Sequence, residues 1–226
     1  MTRGGRRVAV TGLGVVAPAG IGVHDFWSGL LGPGFTGGVA TEIDDWDPSP
    51  YFESPKHARR ADRVEQFALA AAGEAFDMAG GTDAIGVAPS RFGTIFATGI
   101  GGLHTLEDQI LVRAEKGERR VSPFLVPMMM ANASGAAISM RYGLKGPSHV
   151  VSTGCTSSAD AIGYAVKSIR YGERDVVLAG GADAVITPGI MTGFGLMQIL
   201  ASSRQQAPET ASRPFDGGRD GFVLGE

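Results

Sequence analysis

The only cysteine among the 226 residues, Cys155, lies where a predicted strand passes into a predicted helix. Residues 149–151 indicate a strand, and residues 152–154, which end in glycine, indicate a sharp turn. A helix N-terminus presents free N–H groups and a partial positive charge, which favour the thiolate over the thiol. The same N–H groups can donate to an oxyanion that forms on a carbonyl under attack. Cys155 is therefore a candidate nucleophile for acyl transfer.

Two observations weaken the interpretation of Cys155 as a nucleophile. A lone cysteine is often an inert core residue, and this explanation stays open from the residues alone. A partner base is also hard to find: His149 lies six residues before Cys155 along an extended segment, beyond hydrogen-bond reach. His24 and His57 fall in or beside predicted surface loops, which leaves His104, after a glycine loop, as the plausible neighbour. The histidines have no paired spacing, so no metal site is predicted.

Composition excludes several classes of protein. The 20 Lys and Arg residues against 23 Asp and Glu residues give a net charge of −3, so no nucleic-acid or membrane-binding surface is predicted. A single cysteine cannot form an internal disulfide, and no apolar run approaches the length of a membrane span. The N-terminal residues lack the apolar core of a secretion signal. We therefore expect a cytoplasmic location.

The elements around the cysteine predict an α/β fold. Apolar runs that end in glycine indicate strands, and apolar residues spaced by three or four indicate helices. The predicted strands are 7–11, 91–98, 148–152 and 175–179, and the predicted helices are 62–79, 104–116, 131–140 and a helix after Cys155 with Ala159, Ile162, Val166 and Ile169 at helical spacing. This alternation favours a parallel sheet with helices on both faces. Residues 35–56 and 202–212 are expected to be surface excursions.

A dinucleotide-binding enzyme is the rival of another class. Residues 8–17, VAVTGLGVVA, fit a G-x-G-x-x-A fingerprint after a predicted strand. However, Pro18, Gly20 and Gly22 would break the helix that must hold the pyrophosphate. No clear acidic residue ends a second strand about twenty residues further on. The fingerprint alone is therefore weak support.

Longer segments carry a family resemblance. The stretch GPSHVVSTGCTSSADAIGYAVKSIRYGERDVVLAGGADAVITP resembles the active-site segment of the β-ketoacyl carrier-protein synthases, condensing enzymes of the thiolase superfamily. The spelling STGCTS is most similar to the catalytic ketosynthase subunit of type II polyketide synthases. Four further segments occur in the family's order: RRVAVTGLGVVAPAG, TGIGGL, SPFLVPMMMANASGAAISMRYGLKGPS and SRPFDGGRDGFVLGE. The resemblance covers nearly the whole chain.

The resemblance implies a thiolase-like fold, with residues 1–226 as the first of two pseudo-symmetric halves. It implies that Cys155 accepts an acyl group from acyl carrier protein and condenses it with a malonyl unit, with loss of carbon dioxide, in polyketide or fatty acid biosynthesis. Two histidines, a lysine and the second oxyanion-hole N–H of the family belong to a C-terminal half that is absent from this chain. The alternative is an acyl-accepting or structural subunit without condensation activity of its own.

The resemblance also assigns roles to individual residues. Cys155 is the nucleophile, and its own N–H is half of the oxyanion hole. Ile100 and Phe194 match positions that line the acyl pocket, and Phe222 matches a phenylalanine near the pocket mouth. Each of these three side chains could equally be plain core.

The implied partners are acyl carrier protein, a C-terminal ketosynthase half or partner chain, and a second ketosynthase or chain-length-factor subunit in a homodimer or heterodimer. No cofactor is implied, because the substrates are carried on the phosphopantetheine of the carrier protein. Residues 123–140 resemble the region where family members dimerise, although a buried core helix fits this composition as well. Arg59, Arg60 and Arg63 are either a docking patch for an acidic carrier protein or a solvated helix start.

Overall fold

A computed structural model describes residues 6–32, 38–204 and 206–226. The helices are α1 (Val23–Leu30), α2 (Pro55–Ala58), α3 (Arg63–Met78), α4 (Leu103–Lys116), α5 (Leu125–Met129), α6 (Ala133–Arg141), α7 (Ser157–Arg170) and α8 (Pro188–Leu196). The strands are β1 (Val16–Ala17), β2 (Gly20–Ile21), β3 (Ala40–Thr41), β4 (Phe92–Ala97), β5 (Ser148–Val151), β6 (Val176–Gly181) and β7 (Leu224–Gly225).

The chain forms two compact units, each described by itself below. The first unit contains the residues up to Gly14 together with Pro48–Asp183. The second unit contains Val15–Asp47 and Ala184–Glu226. All of the helices and strands predicted from the sequence fall in the first unit, which also contains Cys155.

The first unit is built on a three-stranded parallel sheet of order β5-β4-β6. Ala97, the last residue of β4, lies opposite Val151 of β5 and Gly181 of β6. The predicted parallel α/β arrangement is confirmed, and the bounds of β4, β5, β6 and the four predicted helices agree with the predictions to within a few residues. Because the strands are parallel, their carboxyl ends meet at one edge, and Cys155 follows β5 at this edge.

Strand β4 is buried on both faces because helices cover both sides of the sheet. Phe92 and Phe96 point to one side, where they pack in a cluster with residues of α3 and α6, including Ile138, which is fully buried. Ile95 points to the other side and packs with Ala161 of α7. The alternation follows the two-residue period of a strand. Both faces therefore carry apolar side chains, as a buried parallel strand requires.

The predicted buried strand at residues 7–11 is wrong. The segment does not form a strand and is largely exposed, with Val10 78% exposed. It runs onto helix α3 instead: a Cβ on Gly12 would lie 1.9 Å from the carbonyl oxygen of Ala75, and one on Gly14 would lie 1.8 Å from that of Ala71. The two glycines therefore allow the backbone to touch the helix, which the apolar pattern could not reveal.

The dinucleotide-binding alternative loses its main support. The glycines of its fingerprint are followed by an antiparallel hairpin, in which Val16 pairs with Ile21, and by α1 only from Val23. A pyrophosphate site of this kind needs a helix N-terminus directly after the glycine turn. The fingerprint residues Gly12 and Gly14 instead pack closely against α3.

The two predicted surface segments, 35–56 and 202–212, also contain buried residues. Residues 35–37 and 205 lie outside the described residues. Ala40–Thr41 pairs in parallel with β7, and Ile43 is buried, with its N–H donating to the Glu226 side chain at 3.0 Å. In the later segment Ala211 is buried between short turns. Ile43 and Ala211 are therefore buried within the second unit, whereas residues 48–56 belong to the first unit.

Candidate active site

Cys155 is exposed in the connection between β5 and α7. Gly154 has a φ of +65°, in the left-handed region that favours glycine, and it turns the chain away from the strand direction. Thr156 is the N-cap residue of α7, so the cysteine lies one position before it. The predicted strand, turn and helix are confirmed. The thiol is therefore placed near the free N–H groups and the positive end of the dipole of a 14-residue helix.

Side chains hold this turn in place. The N–H of Thr153 donates to Oγ of Ser157 at 2.8 Å, and that hydroxyl donates to the carbonyl of Gly154 at 2.6 Å. The hydroxyl of Thr153 donates to Asp160 at 2.6 Å, and that of Thr156 donates to the carbonyl of Thr153 at 3.0 Å. Thr156 thus stabilises the turn rather than accepting from the helix. The cysteine is held on a pre-organised backbone, as a nucleophile requires.

Helix α7 packs on the sheet through small residues. Ala161, Ala165 and Ser168 are buried, whereas Ile162, from the apolar residues singled out in the sequence, is 52% exposed. The approach to β6 is also close, because a Cβ on Gly181 would lie 2.4 Å from Oγ of Ser158. Small side chains face the sheet because larger ones would push the helix, and the cysteine before it, away.

Ile100 lies on the loop between β4 and α4 and is 46% exposed. The carbonyl of Gly99, one residue earlier, accepts from the hydroxyl of Ser152 at 3.2 Å. Ser152 is three residues before Cys155. The structure therefore brings the loop with Ile100 next to the turn with the cysteine.

Asp183 is a residue of this region that sequence reasoning missed. Its carboxylate accepts from the N–H of Gly99 and from the hydroxyl of Thr98. One signal was present in the sequence: Asp183 follows a glycine-ended strand, and polar residues after parallel strands gather at one edge of the sheet.

Phe194 and Phe222 contact each other within the second unit. Their ring centroids are 5.6 Å apart and their planes are nearly perpendicular, at 79°. The main chain of Phe222 pairs with the segment after α8, donating to Ile199 at 3.0 Å and accepting from Ala201 at 2.9 Å. Phe222 is 40% exposed. Their acyl-pocket roles, like that of Ile100, stay predictions.

The histidines lie on regular elements. His149 lies in β5, as predicted, where it is exposed and pairs with Ile95. His24 and His57, expected in or beside loops, lie in the short helices α1 and α2 with exposed rings. His104 lies in the first turn of α4 and is partly buried. Within the described residues, no group of three or more His, Cys, Asp or Glu side chains could hold a metal ion.

The N-terminal domain model of the β-ketoacyl synthase family matches residues 33–226. The chain belongs to this family. The strand, turn and helix around Cys155 are thus those of a ketosynthase N-terminal domain, and the predicted family and thiolase-like α/β fold are confirmed.

Individual relatives agree with this assignment. A 3-oxoacyl-[acyl-carrier-protein] synthase 2 of Vibrio harveyi is 38% identical over 234 residues, which cover 98% of this chain and 56% of that protein. A polyketide β-ketoacyl synthase of Streptomyces halstedii is 40% identical over 241 residues, with the same coverage. The solved structure of the ishigamide ketosynthase/chain length factor matches with a TM-score of 0.82 and 28% identity, over 97% of this chain and 56% of that chain. The chain spans about half the length of these relatives.

Within residues 6–32, 38–204 and 206–226, none of the helices has both the length and the apolar character that a membrane crossing requires.

Proposed function

We propose that the protein is a β-ketoacyl synthase of fatty acid or polyketide biosynthesis in which Cys155 accepts the acyl group. In the first step the Cys155 thiolate attacks the carbonyl of an acyl thioester, and the sulfur of the acyl donor leaves as its thiolate. In the second step a malonyl thioester loses carbon dioxide, and the resulting carbanion attacks the carbonyl of the Cys155 thioester. The new carbon–carbon bond replaces the bond between the acyl carbon and sulfur, and Cys155 leaves as its thiolate. The N–H of Cys155 serves as one donor to the oxyanion of each step.

One observation carries this proposal: Cys155 is exposed on a rigid turn at a helix N-terminus, inside the segment that matches the family. A buried structural cysteine would not be reachable by an acyl donor. The side-chain hydrogen bonds of the turn support nucleophilic catalysis, because the thiol is held in place before the substrate arrives.

The second step needs more than these 226 residues. We extend the proposal to a second half of the thiolase-like fold that supplies the histidines, the lysine and the second oxyanion donor, with residues 1–226 as the N-terminal half. The coverage of about half of each relative supports this. Ile100, Phe194 and Phe222 are proposed to shape the acyl pocket, and the contact between the two aromatic rings is compatible with a shared wall.

The proposed acyl donor is acyl carrier protein, whose phosphopantetheine carries the substrates, so that no further cofactor is needed. The name of the Vibrio harveyi relative, which specifies acyl carrier protein, supports this partner. A dimer with a second ketosynthase or with a chain-length-factor subunit is proposed from the ishigamide complex. Residues 123–140 could serve it: Val126 is 61% and Met140 is 78% exposed, whereas Ile138 is core. The cytoplasmic location stays a prediction.

The basic patch at the start of α3 is the proposed docking surface for the acidic carrier protein. Arg59 and Arg60 are exposed, and the guanidinium of Arg60 lies 4.1 Å from the ring centroid of Phe124. Arg63 is partly buried with its guanidinium over Phe67, so it is the least available of the three. Salt should then slow acylation by the carrier protein more than acylation by a small neutral thioester.

The test is mass spectrometry of the intact protein after incubation with an acyl carrier protein that bears a labelled acyl group. We expect one acyl mass increment, labile to hydroxylamine, on the wild-type chain and none on Cys155→Ala. Because the chain has a single cysteine, the thioester can be assigned without ambiguity. An equal increment on both proteins would refute the role of Cys155.

The same preparation separates condensation from simple acyl acceptance. Mass spectrometry under denaturing conditions identifies any second polypeptide that purifies with this chain, and labelled malonyl carrier protein reports carbon dioxide release. Acylation with release supports a complete condensing enzyme. Acylation without release supports the alternative, an acyl-accepting or structural subunit.

A further inference from the structure

The loop of residues 98–102 has no regular structure, yet side chains order its backbone. Both carboxylate oxygens of Asp183 accept from the N–H of Gly99, at 3.0 and 2.9 Å. The hydroxyl of Thr98 donates to the same carboxylate at 2.7 Å and accepts from the N–H of Gly101 at 2.9 Å. The N–H of Ile100 also points to the carboxylate, at 3.4 Å. One carboxylate therefore organises four consecutive residues.

The ordered loop is attached to the strand that leads to the cysteine. The N–H of Thr98 donates to the carbonyl of Val151 at 3.2 Å, which continues the pairing of β4 with β5. The hydroxyl of Ser152 donates to the carbonyl of Gly99 at 3.2 Å. The loop is thus held against Ser152, three residues before Cys155.

The other side of the loop is closed by the last residues of α5. The N–H of Gly102 donates to the carbonyl of Met129 at 3.3 Å. A Cβ on Gly102 would lie 2.1 Å from the carbonyl oxygen of Met128, and one on Gly101 would lie 3.0 Å from that of Met129. The loop therefore fills a narrow space, and Asp183 forms another boundary of that space.

We infer that Asp183 is a positioning residue that sets where Ile100 stands beside Cys155, and thereby which acyl groups the cysteine accepts. The inference rests on the proposed acyl transfer to Cys155. Ile100 is the large apolar side chain of this loop, and it is 46% exposed. Acyl chains are apolar, so a displaced Ile100 alters the acceptance of long chains, whereas an acetyl group is too short to depend on it. A residue that only stabilised the fold would affect both donors equally.

The test uses two variants and one control. Asp183→Asn keeps the size of the side chain but replaces an acceptor oxygen with an amide donor that faces other donors. Thr98→Val keeps Asp183 and the shape of the buried Thr98 while removing its hydroxyl, and it replaces the first variant if that one does not fold. Asp108→Asn, on the exposed side of α4, makes the same charge change away from the loop.

Three measurements are made on the protein with any chain that purifies with it. Cys155 is acylated with acetyl and with octanoyl thioesters of N-acetylcysteamine, and the octanoyl-to-acetyl rate ratio should fall about tenfold in Asp183→Asn. Hydrogen exchange of peptides covering 98–102 should become faster, while peptides from β5 stay protected. Alkylation of Cys155 by iodoacetamide should keep its rate, which shows that the turn is intact. Asp108→Asn should match the wild type throughout.

Each outcome is decisive. An unchanged rate ratio in Asp183→Asn and Thr98→Val overturns the role of Asp183 in acyl selection, even if exchange is faster. Unchanged exchange in both variants overturns the positioning itself. If wild-type Cys155 is not acylated by either donor, the proposed function fails, and the exchange experiment still decides whether Asp183 orders the loop.

Discussion

Replacing Glu65 with glutamine should change the unfolding free energy relative to wild type, and this change should favour the variant more at neutral pH than in acid. Glu65 lies in the first turn of α3 and is largely buried, close to Asp62, which is 2% exposed. Burial of the carboxyl, and secondly the charge of Asp62, raise the pKa of Glu65 from 4.5 to about 7. A glutamine has no charge to bury.

The sign and size follow from proton binding. Between pH 4.5 and about 7 the folded protein keeps a proton on Glu65 that the unfolded chain has lost, so the contribution of Glu65 to stability falls as the pH rises through this range. Because the two pKa values differ by about 2.5 and each pH unit corresponds to about 1.36 kcal/mol, the loss is about 3 kcal/mol. Glu65→Gln lacks this loss.

Urea denaturation of both proteins at intervals from pH 4 to pH 8 measures the effect. The unfolding free energy of Glu65→Gln minus that of wild type should rise by about 3 kcal/mol across this range and be level above pH 7. Carboxyl groups with a lowered pKa, such as Asp175, whose carboxylate pairs with Arg91 and Arg6, contribute equally to both proteins and cancel in the difference. Glu115→Gln, on an exposed position of α4, should show no such rise. A level difference from pH 5 to pH 8 would refute the reasoning.

Two further substitutions test the packing that holds the site. Gly181→Ala should cost about 2 kcal/mol in thermal or urea denaturation and slow acylation of Cys155, because its Cβ would lie 2.4 Å from Oγ of Ser158. Gly163→Ala is the matched control, because nothing lies within 4 Å of the added Cβ. It should raise the unfolding free energy by about 0.5–1 kcal/mol, since alanine favours the helix. A loss of stability as large as that of Gly181→Ala would contradict the argument. Asp62→Ala should lower the unfolding free energy by about 3 kcal/mol, because it leaves the N–H groups of Val64 and Thr105 without their acceptor. Stability equal to that of wild type in the same assay would show that these hydrogen bonds contribute little.

Much of the site could be predicted because its signals are local. The strand before Cys155, the glycine turn and the helix after it follow from apolar spacing and from glycine positions within about twenty residues. The helix predicted at 62–79 is observed as Arg63–Met78, capped by Asp62. These elements agree because backbone preferences and side-chain period are properties of neighbouring residues.

Other features could not be predicted because they depend on residues far apart in the sequence. The side of α7 that is buried was decided by the small residues that fit against the sheet, including Ala161 and Ala165. Residues 7–11 had the pattern of a strand, but the glycines that follow them pack against α3, so the chain runs along the surface of that helix. Spacing alone does not say which surface a segment will meet.

The sequence by itself determined the family, the parallel α/β class and the position of Cys155, the proposed nucleophile, between a strand and a helix. Only the tertiary structure decided how the cysteine is surrounded. Asp183 and the N–H of Gly99 are 84 residues apart in sequence, and they meet because parallel strands β4 and β6 end at the same edge. A hydrogen bond of this kind depends on two chain segments arriving at one place, and that is settled by packing of the whole sheet and its helices rather than by local preference.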